Sequence, residues 1–111
     1  MTTHRTHDMH ANSLDAYAEE RSKLSRRASQ VLELYRFDVP MTDRLCLEAY
    51  RPGAGDMNMV RPRITELIKA GLLLEVGTHK DASTGKKVRL VRRATIEEFK
   101  QNKKTQKELN L

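Results

Sequence analysis

The stretch Asn58-Met-Val-Arg-Pro-Arg-Ile-Thr-Glu-Leu-Ile-Lys-Ala-Gly-Leu-Leu-Leu-Glu-Val-Gly77, followed by a basic turn at Ser83-Thr84-Gly85 and by Val88-Arg89-Leu90-Val91-Arg92, reads as one helix running into a basic β-hairpin. Val60, Ile64, Leu67 and Ile68 stand at i, i+4, i+7 and i+8, one buried stripe of a helix. At about 100° per residue the opposite face carries Asn58, Met59, Pro62, Thr65, Glu66 and Lys69, with Arg61 and Arg63 on its flanks. Asp56 or Asn58 is the expected N-cap, and the helix should run to about Ala70 and stop at Gly71, a left-handed C-terminal position. Pro62 falls close to the first turn, where a missing N–H costs little. Leu72 to Val76 then begin a strand, Gly77 to Lys87 form the hairpin loop and Val88 to Arg92 return. Val88, Leu90 and Arg92 alternate with Arg89, Val91 and Arg93 across the sheet.

The charge follows the same boundaries. Between Asn58 and Arg93 nine basic residues (Arg61, Arg63, Lys69, Lys80, Lys86, Lys87, Arg89, Arg92, Arg93) face three acidic ones (Glu66, Glu75, Asp81), a net +6 that equals the formal charge of the whole chain. The first 57 residues hold eight basic and nine acidic groups, and the last 18 hold four and three. A basic surface confined to one supersecondary unit suits a polyanion, because phosphate neutralisation by Lys and Arg releases condensed counterions.

With 111 residues the chain has room for one small core with tails, and with 5% aromatic residues and no Trp that core must be aliphatic. Cys46 is the single cysteine, so an internal disulfide and a multi-cysteine zinc site are excluded. Its expected role is that of a small buried hydrophobe rather than a reactive thiol. No apolar run approaches the ~18 residues of a membrane span, and the N-terminus lacks the apolar segment of a signal peptide, so a reduced cytoplasmic compartment is the expectation.

Residues 1–12 lack apolar periodicity and read as a disordered arm. His4, His7 and His10 recur every third residue there, yet with no fourth fixed ligand they read as a polar lead-in and not as a metal site. The stripe Leu24, Ala28, Val31, Leu32, Tyr35 defines a first core helix, which ends before Pro40. Leu14, Tyr17 and Ala18 form a shorter stripe upstream, either an extension of that helix or a separate turn folded on it. A second helix starts with Thr42 as N-cap and Asp43 near the positive terminus. Leu45, Cys46 and Ala49 are expected to face inward, with Tyr50 as the last residue before the Arg51–Gly55 turn. Thr95-Ile96-Glu97-Glu98 is a capping-box pattern for a further helix, docked by Ile96 and Phe99 and fraying beyond Lys100. The division is thus an arm at 1–12, a domain at 13–94 and a C-terminal helix and tail at 95–111.

The expected fold is mainly α with a small β-hairpin. Three helices and a two-stranded wing over roughly residues 22–93 resemble the winged helix-turn-helix family of bacterial and bacteriophage DNA-binding proteins. The phrase Arg63-Ile64-Thr65-Glu66-Leu67-Ile68-Lys69-Ala70-Gly71-Leu72-Leu73 resembles the end of that family's recognition helix and its turn into the wing, and Met41-Thr42-Asp43-Arg44-Leu45 the opening of its second helix. The resemblance implies sequence-specific binding of double-stranded DNA, as a small regulator of transcription or replication in a bacterium or phage. The third helix would enter the major groove, with Asn58, Arg61, Arg63, Thr65 and Lys69 against base edges and phosphates. Lys80, Lys86, Lys87 and Arg89 of the wing would lie along the backbone or minor groove.

No Asp, Glu, His or Cys spacing makes a nucleophile-base pair or metal site, and no Gly-rich phosphate loop is present, so neither an enzyme nor a cofactor is expected. His79 reads as a solvated hairpin residue. The alternative is a winged-helix module for protein-protein interaction without DNA specificity. A homodimer through the helix around Leu14 and Tyr17, or that around Ile96 and Phe99, would double the specific contacts.

Overall fold

The structure, a computed structural model, describes residues 14–109 and the side chains of 14–102. The arm at 1–12, its three histidines and Leu111 lie outside the described residues. Among the described residues, five α-helices, a short 3₁₀ turn and a two-stranded antiparallel sheet make up the fold.

Residues 14–22 form α1, which is a separate helix and not an extension of the next. The break has a local cause: Ser25 adopts an extended backbone and its hydroxyl accepts from the Ala28 N–H at 3.1 Å, capping α2 (Arg26–Leu34). Ala28, Val31, Leu32 and Tyr35 are buried as the periodicity predicts. The chain then bends through residues 37–39 to Met41, whose N–H and C=O exchange hydrogen bonds with Val91 at 2.9 Å or less. Sequence reasoning missed this bridge, because a single paired residue leaves no alternation to read.

In α3 (Asp43–Tyr50) Thr42 is the N-cap, accepting from the Leu45 N–H at 3.2 Å. The inward residues are Asp43, Cys46 and Leu47, so the expected inward placement of Leu45 and Ala49 is corrected: Leu45 is 54% exposed and Ala49 is exposed. The stripe is rotated because a carboxylate occupies its first position, which the helix tolerates only through partners from distant segments.

The Arg51–Gly55 turn, with Gly53 at φ 84°, leads into a 3₁₀ turn at Met57–Met59. Asp56 caps that turn, accepting from the Asn58 N–H at 2.9 Å. The following helix, α4 (Arg61–Lys69), has Val60 as its N-cap residue with no side-chain cap, so Asn58 precedes the helix and caps nothing there. Pro62 stands in its first turn. At the other end Gly71 takes φ 83°, and Gly71 N–H to Ile68 C=O plus Leu72 N–H to Leu67 C=O, both 3.0 Å, close the helix as a Schellman motif.

The strands β1 (Leu73–Lys80) and β2 (Lys87–Arg93) pair from Leu73↔Arg93 to Lys80↔Lys87, with a bulge at Val76. The first strand is therefore longer than the predicted Leu72–Val76 and the loop shorter. Beyond Val76 every residue of β1 is exposed, so burial contributes no period to that strand there. Asp81 accepts from Ser83 N–H at 3.0 Å and Ser83 O–H at 2.9 Å, ordering the loop, and this holds its carboxyl below the ordinary range.

The capping box of α5 (Ile96–Leu109) is formed: Glu98 N–H donates to Thr95 Oγ1 at 3.1 Å and Thr95 N–H to Glu98 Oε1 at 3.0 Å. The helix continues to Leu109 instead of fraying after Lys100. Phe99 is buried and meets Tyr17 of α1 edge-on at 5.5 Å, while a Cβ on Gly71 would come to 3.4 Å from its ring. The core thus joins α2, α3, α4, both strands and α5, with Cys46 buried and unpaired within it.

Candidate nucleic-acid interface

Because α4 buries Ile64 and Leu67, its outer side is free to form a surface. Asn58, Arg61, Pro62, Thr65, Glu66 and Lys69 line a shallow depression of about 430 Å³ there. Five of these are among the six residues that periodicity assigned to the outer face, and Arg61 was placed on its flank; the remaining one, Met59, is corrected, because its apolar side chain packs against the core. A second hollow of about 540 Å³ lies between the start of α3 and the hairpin, with Arg44, Leu45, His79, Lys87 and Val88 in its walls. Arg61 belongs to both linings, so the two hollows, one on the α4 face and one beside the hairpin, adjoin at its side chain.

Arg63 does not line this surface but pairs at 3.4 Å with Glu66, which does, one turn along the helix. Lys80, Lys86 and Lys87 are exposed and form no salt bridge among the described residues. Lys80 and Lys87 stand directly opposite in the register, a like-charge pair that opposes the fold and that a bound anion would relieve.

Arg89, read from the sequence as a nucleic-acid contact, makes its bonds within the protein. Its Nε donates to both oxygens of Asp43, at 3.1 and 3.2 Å, and a terminal nitrogen reaches Asp43 at 3.1 Å and Thr65 Oγ1 at 3.3 Å. Asp43, the one buried charged residue among those described, also holds Arg61 Nε at 3.5 Å. Arg92 is clamped by Glu98, and Arg93 pairs with Glu33 at 3.2 Å and lies over the Phe37 ring at 5.1 Å. All five arginines between Asn58 and Arg93 are therefore ion-paired, four of them to acids from outside that stretch. Sequence reasoning missed Asp43, Glu33 and Glu98 as members of the basic unit, because nothing local brings residues so far apart in the chain together.

The titrating groups follow these contacts. The Arg92 guanidinium, helped by the Thr95 N–H, holds the Glu98 carboxyl down at about 2, and Arg21 holds Glu33 below its ordinary value. Burial pushes the Cys46 thiol up to about 11, so it is an inert core group. Among the described residues no group of His, Cys, Asp and Glu could hold a metal ion, and no helix is long and apolar enough to cross a membrane. No family model, curated protein or solved structure matches the chain.

Proposed function

We propose that the chain is a winged-helix protein that binds double-stranded DNA in a sequence-specific way, without enzymatic activity, as a small regulator of transcription or replication in the cytoplasm of a bacterium or phage-infected cell. The observation that carries this reading is the pair of adjoining hollows: the α4 face with Asn58, Arg61, Thr65 and Lys69 shares Arg61 with a hollow against the hairpin that bears Lys80, Lys86 and Lys87. The order of helix, Met41 bridge, two helices and hairpin supports a winged-helix topology. In that arrangement α4 lies in the major groove and the hairpin lysines follow phosphates.

Titration of labelled duplex at several salt concentrations tests it. Affinity should fall steeply with salt, with a slope of about 0.9 per phosphate neutralised. A second reading, a protein-interaction module, is favoured by Leu45, exposed beside Met57, Val88 and Leu90 in the same hollow. No binding at low salt, or binding indifferent to salt, would favour that reading.

A further inference from the structure

We propose that Asp43 is a positioning residue for sequence discrimination, one buried carboxylate that holds Arg61 and Arg89 and, through Arg89, Thr65. This rests on the reading of the α4 face as a DNA-binding surface. Asp43 belongs to α3, yet its ion-pair partners among the described residues are on α4 and β2. Its side chain is 11% exposed, so it needs at least one cation beside it at all times.

Its two partners are not equivalent. Arg89 offers two hydrogen bonds from Nε and a further ion-pair approach from a terminal nitrogen, all within 3.2 Å, and is itself 23% exposed, which makes it the fixed brace. Arg61 has a single 3.5 Å contact and a side chain 57% exposed, and it stands where the two hollows meet. It is the arginine that can exchange Asp43 for a DNA acceptor, because Arg89 stays behind to neutralise the carboxylate. Arg89 meanwhile donates to Thr65 Oγ1, leaving the Thr65 proton to be directed outward.

The consequence concerns specificity, a difference between two affinities. A stray phosphate must compete with Asp43 for Arg61 and meets the carboxylate's repulsion. A matched site returns more, since an oriented guanidinium and hydroxyl meet base edges in a set geometry. Asp43 thereby lowers affinity for arbitrary DNA and widens the gap to the correct site.

The test compares the unaltered full chain with Asp43→Asn on a duplex selected from random sequence and on a scrambled duplex, across a salt series. The variant should bind the scrambled duplex about tenfold more tightly, with a salt slope steeper by about one ion, and its selected-to-scrambled ratio should fall about tenfold. A purely structural role would instead weaken both duplexes alike and leave the ratio unchanged, and that result overturns the proposal. If Asp43→Asn melts below the assay temperature, Arg89→Gln supplies the second arm. There Asp43 keeps Arg61 as its sole cation, so both affinities drop and discrimination falls; retained discrimination in that variant overturns the proposal equally. An unaltered protein that binds no duplex sinks the DNA reading and this role with it, whereas one that discriminates no better than Asp43→Asn sinks the role alone.

Discussion

At the scale of single residues, exposure and partner decide which basic groups face a ligand. Arg61 is loosely tethered and central, Arg63 is paired with Glu66, and Arg89 is committed to Asp43 and Thr65. Replacing Arg61 by Ala should therefore cost about 1 to 3 kcal/mol at a selected site and relax preference at one base pair, while Arg63→Ala should do less. Lys86→Ala combined with Lys87→Ala should weaken selected and scrambled duplexes by similar factors and flatten the salt slope, since a lysine on the backbone carries no base information. Competition binding at matched salt separates the two outcomes. Loss of discrimination in the lysine pair alone would make the hairpin the reader.

At the scale of elements, α4 and α5 show opposite ways of fixing a helix. The first has no side-chain N-cap and depends on its buried stripe and on the Gly71 motif. Ile64→Ala or Leu67→Ala should thus lower unfolding free energy by about 2 to 5 kcal/mol, whereas Thr65→Ala, losing one 3.3 Å bond from Arg89, should cost about 1 kcal/mol or less. Equal melting losses would mean that the buried face is misassigned. By contrast α5 is set by charge: the Glu98 carboxylate accepts from Arg92 and from the Thr95 N–H. Its folded-state pKa of about 2 lies below the ordinary 4.5, so this contribution is complete above about pH 4.5 and is lost as the pH falls towards 2. Glu98→Gln should melt lower than the unaltered chain at neutral pH. The gap should narrow between about pH 5 and about pH 2.5, and a gap constant with pH would deny the pair its role.

For the whole molecule, the charge map drawn along the chain differs from the map in space. Nine basic residues against three acidic ones describe Asn58 to Arg93 as a segment, but Glu33, Asp43 and Glu98 fold onto it and neutralise part of that excess. What remains outward is concentrated on the hairpin lysines and on Arg61, where ion pairing is absent or weak. The salt slope should accordingly reflect about four to six phosphates rather than all nine cations, and duplex titrations at four or more salt concentrations would measure it. A slope near nine would require the internal pairs to open on binding.

Much of this protein is written in short-range patterns. The stripes of α2 and α4, the Thr42 cap, the Gly71 terminus and the Thr95–Glu98 box are legible because each depends on residues within a turn or two of one another, where rotation per residue and capping chemistry are fixed. The outer face of α4 is legible for the same reason. The Met41 bridge, the rotated stripe of α3 and the reach of β1 to Lys80 were decided only in the tertiary structure. So was the assignment of Arg89 to Asp43 and not to an outward surface. Except for the reach of β1, which rests on hairpin pairing of Lys80 with Lys87, each depends on groups that meet across tens of residues, and a buried carboxylate is stable at the start of α3 only because the folded chain delivers guanidiniums to it.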